Sequence, residues 1–592
     1  MATDTTSRYR HLRPILKKYS GYFWFGALAT FFANALILIN PYLIKLAFEG
    51  VKAKQPSSYI SKLCLYMVIL AVIAGVFRFA MRRSIIWASR KIEYDLRGLM
   101  FTKFLSLDPT YYHTAKTGDL MAHATNDIEA VRMMIGPGVM HIVNAVVSTV
   151  VAVGFMVSLS PKLTLFTLVP MTLLSLIVNR LGGLVHKRFM AIQAHFSSLT
   201  SRVQENLAGV RVIKAYRREE AEIDRFGEAS RKYADMNLDM MRLVGFFNPL
   251  LSTIAGGVTL LVLFIGGRQI TGGEITLGTL VAFFGYMGWM TWPMMALGWV
   301  ISLYQRGTAS LDRINKILGA EPRIVDPGRS KTSPTKVKGK IEFRGLTFAY
   351  PSAPPGGAAP ISVLTDINLI IEPGTRVGII GPTGSGKTSL VSLIPRLYPV
   401  ESGMLLIDDV DINLWPLPQL RRGIGFVPQE TFLFSDTLEA NINFSGEQMV
   451  RDNVIEAAAL AALHDDVESF PGRYETILGE RGITLSGGQK QRTALARAIL
   501  KRPAVIIFDD ATSSVDTETE EKIFANLERV LPGRTSIIIS HRVASLKGCQ
   551  TIIYLADGRI VEAGTHEALL ARGGPYAALY RRQQMEEQLA RM

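Results

Sequence analysis

Long uncharged stretches alternate with charged segments along the first half of the chain. A helix needs about 20 apolar residues to cross the roughly 30 Å hydrocarbon core of a bilayer. Four stretches exceed that length: 19–44, 133–161, 243–267 and 275–305. Two shorter ones, 63–77 and 163–179, complete a consistent up-and-down path, and the Lys or Arg residues beside them can extend to the lipid head groups. The pattern predicts six spans; the alternative is a set of buried helices in a soluble core.

The pattern changes at Ile341, where short β-rich runs alternate with Gly/Pro turns and helical stretches. This texture is typical of an α/β domain. A segment containing Pro322, Pro327, Gly328 and Pro334 precedes it. We therefore predict a transmembrane domain with long cytoplasmic extensions at 1–320, a linker at 321–340 and a nucleotide-type α/β domain at 341–592.

The charge is distributed unevenly between these halves. The chain has 592 residues and a net charge of +15, which in a soluble protein would favour nucleic acid. Residues 1–336 hold 39 Lys and Arg against 20 Asp and Glu, whereas residues 337–592 hold 26 against 30. Basic residues mark cytoplasmic connections between spans. The sequence thus predicts a multi-pass protein of the cell (inner) membrane, in contact with lipids and not nucleic acid, with its N-terminus and second domain cytoplasmic.

The composition of the predicted spans narrows the class of transporter. No acidic residue lies well inside an apolar stretch, which disfavours coupling to protons or sodium. The sixth stretch is rich in Met and aromatic residues, including Phe283, Tyr286, Met287 and Trp289. Such polarizable side chains suit a cavity for varied apolar ligands. Ordinary lipid-facing and helix-packing surface is the alternative.

The first functional motif in the second half is a phosphate-binding motif. The sequence GPTGSGKT occupies residues 381–388, after a strand-like run and before a helical one. In this context the glycines let backbone N–H groups converge on phosphate oxygens at a helix N-terminus. Lys387 would contact the β- and γ-phosphates and Thr388 would contact Mg²⁺. The motif predicts ATP and Mg²⁺ as ligands.

Two further motifs follow this one. Residues 505–508 are apolar and are followed by the carboxylates Asp509 and Asp510. A buried strand of this kind would place Asp509 at the Mg²⁺ site. The sequence LSGGQ at 485–489 has glycines and Ser486 that could donate to a phosphate. By itself LSGGQ would be only a loop-to-helix turn.

Together these motifs resemble those of the ATP-binding cassette family, and the resemblance covers the whole chain. It implies an α-helical six-span transmembrane domain of the type I exporter class (type IV fold), followed by an α/β P-loop NTPase domain. The resemblance implies that Gln429, Asp510 and His541 serve catalysis and that Thr388, Gln429 and Asp509 hold Mg²⁺. It places the nucleotide on Tyr350, Gly381, Pro382, Thr383, Gly384, Ser385, Gly386, Lys387, Thr388 and Ser389, and on Ser486, Gly487, Gly488 and Gln489.

The resemblance also implies a partner. In this family ATP lies between two cassettes, against the phosphate loop of one and the LSGGQ signature of the other. A chain with one cassette is a half-transporter and needs a second one. Residues 112–127 and 205–216 resemble the cytoplasmic extensions that rest on the cassettes, and residues 479–482 resemble the stretch that contacts the membrane domain.

One residue departs from the family pattern. The family normally has a glutamate directly after the aspartate that corresponds to Asp509, the Walker B aspartate. This chain has Asp510 at that position. A shorter carboxylate misplaces the attacking water, and a misplacement of about 1 Å can lower a rate on the order of 10²-fold. The departure favours a heterodimer in which this chain's own site hydrolyses ATP poorly and its signature completes the partner's site.

The leading function is ATP-driven export of hydrophobic or amphipathic compounds of the multidrug type. The alternatives are a lipid flippase, a peptide exporter, a homodimer with slow ATPase activity, and a nucleotide-gated channel or regulator. A peptide exporter that processes its cargo is disfavoured, because no protease-like domain with a reactive cysteine precedes the first span. The sequence does not name the substrate.

Overall fold

The computed structural model describes residues 8–328, 334–351, 361–445, 450–479, 482, 485–530 and 532–591. It divides into two compact units. The first contains Met1–Leu105 and Gly118–Ala320, and the second contains Ser106–Thr117 and Glu321–Met592. The division near residue 320 places the short segment 106–117 in the second unit. The domain bounds 1–320, 321–340 and 341–592 stay a prediction.

The described part of the first unit is helical apart from short turns. Six long helices each contain one of the predicted uncharged stretches, wholly or in large part. With the shorter helices included, the described helices of this unit are Leu12–Ile37, Asn40–Lys52, Ser57–Ser106, Thr117–Ala122, Ile128–Met133, Val139–Leu159, Pro161–Ala208, Val210–Ala215, Glu219–Thr271 and Leu277–Leu318. Two π-helical turns lie at His123–Asp127 and Met134–Gly138.

Length and composition qualify four described helical segments as membrane spans: Leu12–Lys52, Ser57–Ser106, Thr117–Leu159 and Glu219–Thr271. Leu277–Met290 is a shorter apolar helix in the sixth stretch. The side chains of 173–179 and 291–295 lie outside the described residues. The count of six spans therefore stays a prediction for the fourth and sixth stretches.

Side-chain caps define two tight connections between these helices. Ser160 Oγ accepts from the backbone N–H of Leu163 at 3.3 Å, and Pro161 occupies the first helical position. Thr276 Oγ1 accepts from the backbone N–H of Thr279 at 3.1 Å. Both caps satisfy N–H groups that a helix start otherwise leaves without partners.

The second unit contains two β-sheets. An antiparallel sheet has the order β2-β1-β4-β5, and a larger sheet has the order β10-β9-β3-β8-β7-β6 with parallel pairing from β9 to β6. The strands are β1 Ile341–Ala349, β2 Ser362–Ile371, β3 Arg376–Ile380, β4 Leu405–Ile407, β5 Val410–Asp411, β6 Ile424–Val427, β7 Val505–Asp509, β8 Thr535–Ile539, β9 Thr551–Ala556 and β10 Arg559–Gly564.

The parallel strands form the centre of this unit. Every residue of β7 and β8 is buried, which explains their continuous apolar sequences. The flanking α-helices are Lys387–Leu393, Leu417–Arg422, Leu438–Ile442, Arg451–Leu460, His464–Ser469, Gly487–Leu500, Thr517–Val530, His566–Arg572 and Pro575–Arg591; short 3₁₀ turns lie at Ile412–Leu414, Arg473–Glu475 and Ala544–Leu546. The carboxyl ends of β3, β7 and β8 meet at one edge, where α/β sheets bind ligands.

The helix Pro109–Thr114 belongs to this second unit, because its contacts are with cassette residues. His113 Nε2 lies 2.9 Å from the Tyr398 hydroxyl. Asp108 accepts from the backbone N–H of Arg323 at 3.1 Å. These hydrogen bonds give the physical reason why residues 106–117 group with the cassette.

Candidate functional site

The phosphate loop lies between β3 and the helix Lys387–Leu393. Gly386 has φ of 97°, a left-handed conformation that glycine adopts without strain. A Cβ atom at Gly381 would lie 1.9 Å from the carbonyl oxygen of Leu555 on β9. Glycine is therefore required at both positions, for the turn at one and for the close backbone approach at the other.

Lys387 is buried inside this loop. Its Nζ donates to the carbonyl oxygens of Gly381 at 2.9 Å and Pro382 at 2.8 Å. Burial lowers the pKa of the Lys387 ammonium, while Asp509 and Asp510 oppose that change. The ammonium is thus held within the loop that the motif assigns to phosphate.

Asp509 ends the buried strand β7 beside this loop. Thr388 Oγ1 donates to Asp509 Oδ1 at 3.1 Å, and Asp509 Oδ2 is buried without a hydrogen-bond partner among the described residues. Burial raises the pKa of Asp509, and the neighbouring Asp510 carboxylate adds to the increase. A buried oxygen atom without a partner, next to a threonine hydroxyl, fits a hard divalent cation such as Mg²⁺.

A pocket of about 280 Å³ joins these groups at the carboxyl edge of the sheet. It brings together residues that are far apart in the sequence. Val363 and Ile539 complete a lining that otherwise consists of predicted site residues: Thr383, Gly384, Gly386, Lys387, Thr388, Ser389, Gln429, Asp509, Asp510 and His541.

Asp510 lies at the mouth of β7 in a left-handed conformation. Its φ is 49°, a region in which aspartate and asparagine are enriched among non-glycine residues. Its backbone N–H donates to the carbonyl oxygen of Ile539 at 3.1 Å. This bond fixes the backbone of Asp510 and leaves its carboxylate on the pocket side.

Tyr350 is adjacent to the pocket but is not among its described lining residues. Its hydroxyl lies 2.8 Å from Ser389 Oγ. Its ring packs edge-on against Tyr398, with 5.0 Å between ring centroids. Tyr350, predicted as a nucleotide contact, therefore bonds to the phosphate-loop helix through its hydroxyl.

The signature lies at the start of the helix Gly487–Leu500, and none of its described residues lines the pocket. Ser486 and Gln489 form a reciprocal capping box, in which Ser486 Oγ accepts from the Gln489 backbone and Gln489 Oε1 accepts from the Ser486 backbone. A Cβ atom at Gly488 would lie 3.0 Å from the carbonyl oxygen of Ser514. Residues 480, 481, 483 and 484 lie outside the described part.

Gln491 links the signature helix to the loop after β7, a role not foreseen from sequence. Its Nε2 donates to Ser513 Oγ at 2.8 Å, and its Oε1 accepts from the Ser514 backbone at 2.9 Å. Only the tertiary structure brings residue 491 to residues 513 and 514. The sequence carries no separate signal for it.

Glu520 is a second residue that sequence reasoning missed. It is 5% exposed, pairs with Arg542 at 2.8 Å, and accepts from Thr512 and Ser545, each at 2.8 Å. These bonds join the loop after Asp510 to the loop after His541. In the sequence, Glu520 lies on the same apolar stripe of its helix as Ile523 and Leu527. An acidic side chain in such a buried position needs hydrogen-bond or charge partners, and this is the signal that could have identified it.

Comparisons with known proteins identify the same two parts. Residues 23–294 match the ABC transporter transmembrane region, and residues 364–513 match the ABC transporter domain. The chain is 35% identical to the multidrug resistance-like ATP-binding protein MdlA of Escherichia coli, over 96% of this chain and 95% of that protein. It is 30% identical to an ATP-dependent lipid A-core flippase of Syntrophus aciditrophicus, over 98% of this chain and 95% of that protein.

A solved structure agrees with the fold. A bacterial Atm1-family ABC exporter with ATP bound superposes with a TM-score of 0.75 at 25% identity, covering 96% of this chain and 98% of that one. The predicted fold class is thereby confirmed, as is the prediction of an ATP-hydrolysing membrane transporter. The chain belongs to the ATP-binding cassette exporters, with the architecture of a half-transporter.

Proposed function

We propose that this half-transporter exports hydrophobic or amphipathic compounds of the multidrug type and works with a second half-transporter. The described signature residues do not line the chain's own phosphate pocket, so an ATP held there would need a signature from elsewhere. The name of the E. coli relative supports a multidrug-type cargo. The bias of Lys and Arg supports a cytoplasmic N-terminus and cytoplasmic cassette.

An exposed apolar tip in the first unit supports a partner subunit. The helix Val210–Ala215 has no buried residue, and Val212 and Tyr216 are 61% and 76% exposed. A tip between long helices lies outside the predicted spans, so lipid does not account for its apolar side chains. A partner's cassette is the surface that would cover them.

The residues of the pocket support ATP binding and hydrolysis in distinct roles. Loop backbone N–H groups and the Lys387 ammonium would bind the phosphates, because both offer donors to oxygen acceptors. Asp509, Thr388 and Gln429 would hold Mg²⁺, which supplies charge neutralisation on the phosphates when bound. Asp510 would orient water toward the γ-phosphate, and His541, in the same pocket, would contact that phosphate. The products are ADP, inorganic phosphate and a proton.

Asp510 is the observation that carries the proposal of an impaired site. Its backbone is fixed by the bond to Ile539, so the shorter carboxylate cannot regain its reach by moving the strand end. A carboxylate that lies about 1 Å too far from the water lowers hydrolysis on the order of 10²-fold. The chain's own site would then bind ATP firmly and turn it over slowly, while a partner with glutamate supplies most of the activity.

The test is ATPase activity of the purified full chain, alone and with the half-transporter encoded beside it. We expect slow hydrolysis alone, at least tenfold stimulation by Asp510→Glu, and fast hydrolysis with the partner. Asp510→Asn is the matched control, because it keeps the size of the side chain and removes its charge. Vigorous ATPase from the chain alone, unchanged by Asp510→Glu, would contradict the impaired site and favour a homodimer.

A lipid flippase is the second candidate, because relatives named lipid A-core flippases are 30–34% identical over most of the chain. The two functions differ in cargo. ATP-dependent uptake of a hydrophobic dye into inside-out vesicles supports the multidrug exporter. Movement of labelled lipid without dye uptake would support the flippase.

A further inference from the structure

The loop after β7, residues 510–516, carries Asp510 and continues to the helix Thr517–Val530. The backbone N–H of Asp510 donates to the carbonyl oxygen of Ile539 at 3.1 Å, and the backbone N–H of Ser513 donates to the carbonyl oxygen of Asp510 at 3.3 Å. The conformation at Asp510 therefore depends on where Ser513 lies. A displacement of Ser513 would turn the Asp510 peptide and move its carboxylate in the pocket.

Gln491, on the signature helix Gly487–Leu500, holds this part of the loop. Its Nε2 donates to Ser513 Oγ at 2.8 Å, and its Oε1 accepts from the backbone N–H of Ser514 at 2.9 Å. The side chain is only 5% exposed, so water does not readily replace these partners. One buried amide thus fixes two consecutive residues of the loop.

The first turn of the signature helix packs directly on the same residues. A Cβ atom at Gly487 would lie 3.3 Å from Ser514 Cβ, and one at Gly488 would lie 3.0 Å from the carbonyl oxygen of Ser514. Contacts this short are tighter than ordinary packing, so a methyl group at either position would push the helix and the loop apart. The two glycines therefore allow the close approach that brings Gln491 to the loop.

Gln491 is not among the described lining residues of the phosphate pocket. An effect of Gln491 on hydrolysis would therefore pass through the loop. Glu520 holds the same loop from a second helix, because it accepts from the Thr512 hydroxyl at 2.8 Å. Thr512 and Ser513 are thus fixed by side chains of two different helices, and this gives the loop a defined path.

We propose that Gln491 is a positioning residue for the Asp510 carboxylate. By binding Ser513 and Ser514, it would keep the loop in the arrangement that directs this carboxylate toward the attacking water. The proposal rests on the proposed role of Asp510 in hydrolysis and assigns the support of that role to the signature helix. A misplacement of about 1 Å can lower a rate on the order of 10²-fold, so the loss of both hydrogen bonds should be measurable.

The test is steady-state ATPase kinetics of the purified full chain in the Asp510→Glu background, where hydrolysis is expected to be fast enough to show a decrease. Gln491→Met keeps the length of the side chain and removes both hydrogen bonds. We expect kcat to fall about tenfold with KM within about twofold, because no predicted nucleotide contact is lost. Thr493→Val is the matched control, since the buried Thr493 hydroxyl bonds to the carbonyl oxygen of Gln489 on its own helix.

The same substitution in the chain that keeps Asp510 completes a double-mutant cycle. There the carboxylate is already proposed to lie too far from the water, so Gln491→Met should lower kcat by less than about threefold. A general loss of stability would lower kcat by the same factor in both backgrounds, whereas coupling to position 510 makes the factors differ. Ser513→Ala removes one of the two bonds at an exposed position and should lower kcat about threefold in the Asp510→Glu background.

If Asp510→Glu stimulates hydrolysis, an unchanged kcat for Gln491→Met, or an equal factor of loss in both backgrounds, would overturn the positioning role. If Gln491→Met does not fold, Ser513→Ala decides, and a kcat equal to that of Thr493→Val would overturn it. Fast hydrolysis that Asp510→Glu does not raise would remove the impaired site instead. A tenfold loss for Gln491→Met relative to Thr493→Val would then still support the positioning role, so the two proposals fail separately.

Discussion

Buried polar side chains have different roles in the two halves of this chain. In the cassette, the buried polar side chains Lys387, Asp509 and Glu520 lie around one sheet edge, and each has a defined partner or an oxygen available for a ligand. In the membrane half, Asn34 and Ser148 join helices, and many large apolar side chains such as Trp24 and Phe246 face outward. Water surrounds one half and lipid the other, so burial of apolar surface organises only the cassette in the usual way.

This difference indicates where a single substitution should change activity or stability. The cassette concentrates its chemistry in a few loops, and the loss of one group there should abolish turnover. The membrane half distributes weak interactions over long helices, and most single losses there should be small.

The largest effect is expected at Lys387. The Lys387→Ala variant removes the ammonium found among the described residues of the phosphate pocket, and we expect ATP binding and the slow ATPase activity of the chain alone to fall at least about 10²-fold. Lys522→Ala, in the exposed ion pair with Asp465, is the matched control and should be near wild type. Nucleotide binding and phosphate release by the purified full chain alone measure the effect of both variants. A loss of less than tenfold would show that the cassette does not concentrate its function in this way.

A smaller effect is expected at Glu520, which contacts no predicted nucleotide group. Glu520→Gln weakens the bonds to Arg542 and Ser545, so the loop bearing His541 should lose its position. In ATPase kinetics of the chain alone, kcat should fall about tenfold with little change in KM. Glu518→Gln, on the exposed face of the same helix, serves as the control. Equal effects of the two variants would contradict a positioning role.

The buried Asp509 carboxylate, which the proposed function requires, is expected to lower the stability of the nucleotide-free protein at neutral pH. Its pKa is raised by burial, so the folded state binds the proton more tightly than the unfolded state. Stability contributed by the protonated form is complete below the ordinary aspartate pKa and is lost as pH rises through the raised value. At neutral pH, Asp509→Asn should therefore raise the melting temperature of the nucleotide-free protein by about 2–4 °C. Calorimetry at pH 7 checks this, and a decrease would contradict it.

The smallest effect is expected in the membrane half. Asn34→Ala removes the hydrogen bonds to Asn144 and Ser148, and bonds of this kind between membrane helices contribute about 0.6 kcal/mol on average. Ser158→Ala is the control, because the Ser158 hydroxyl bonds only to a carbonyl oxygen on its own helix. Unfolding in mixed micelles measures the difference. A loss above about 3 kcal/mol would show that this half also depends on single residues.

The long apolar stretches, the change of pattern at Ile341 and the phosphate-loop motif could all be read from the amino-acid sequence. They could be read because a bilayer sets a minimum apolar length and because phosphate binding needs glycines and a lysine at fixed local spacing. The sequence also exposed Asp510, since a single position in a motif can be read without coordinates. The grouping of residues 106–117 with the cassette could not be read, because it depends on contacts such as His113 with Tyr398, 285 residues apart.

Which distant groups meet depends on the tertiary fold. The sequence marks Glu520 only as an acid on an apolar helix stripe, and the fold shows that its partners are Thr512, Arg542 and Ser545. Gln491 carries no separate signal in the sequence, and the fold places it against Ser513 and Ser514. Local patterns specify elements and motifs, whereas a site assembled from several elements depends on long-range packing. That packing has no signature along the chain.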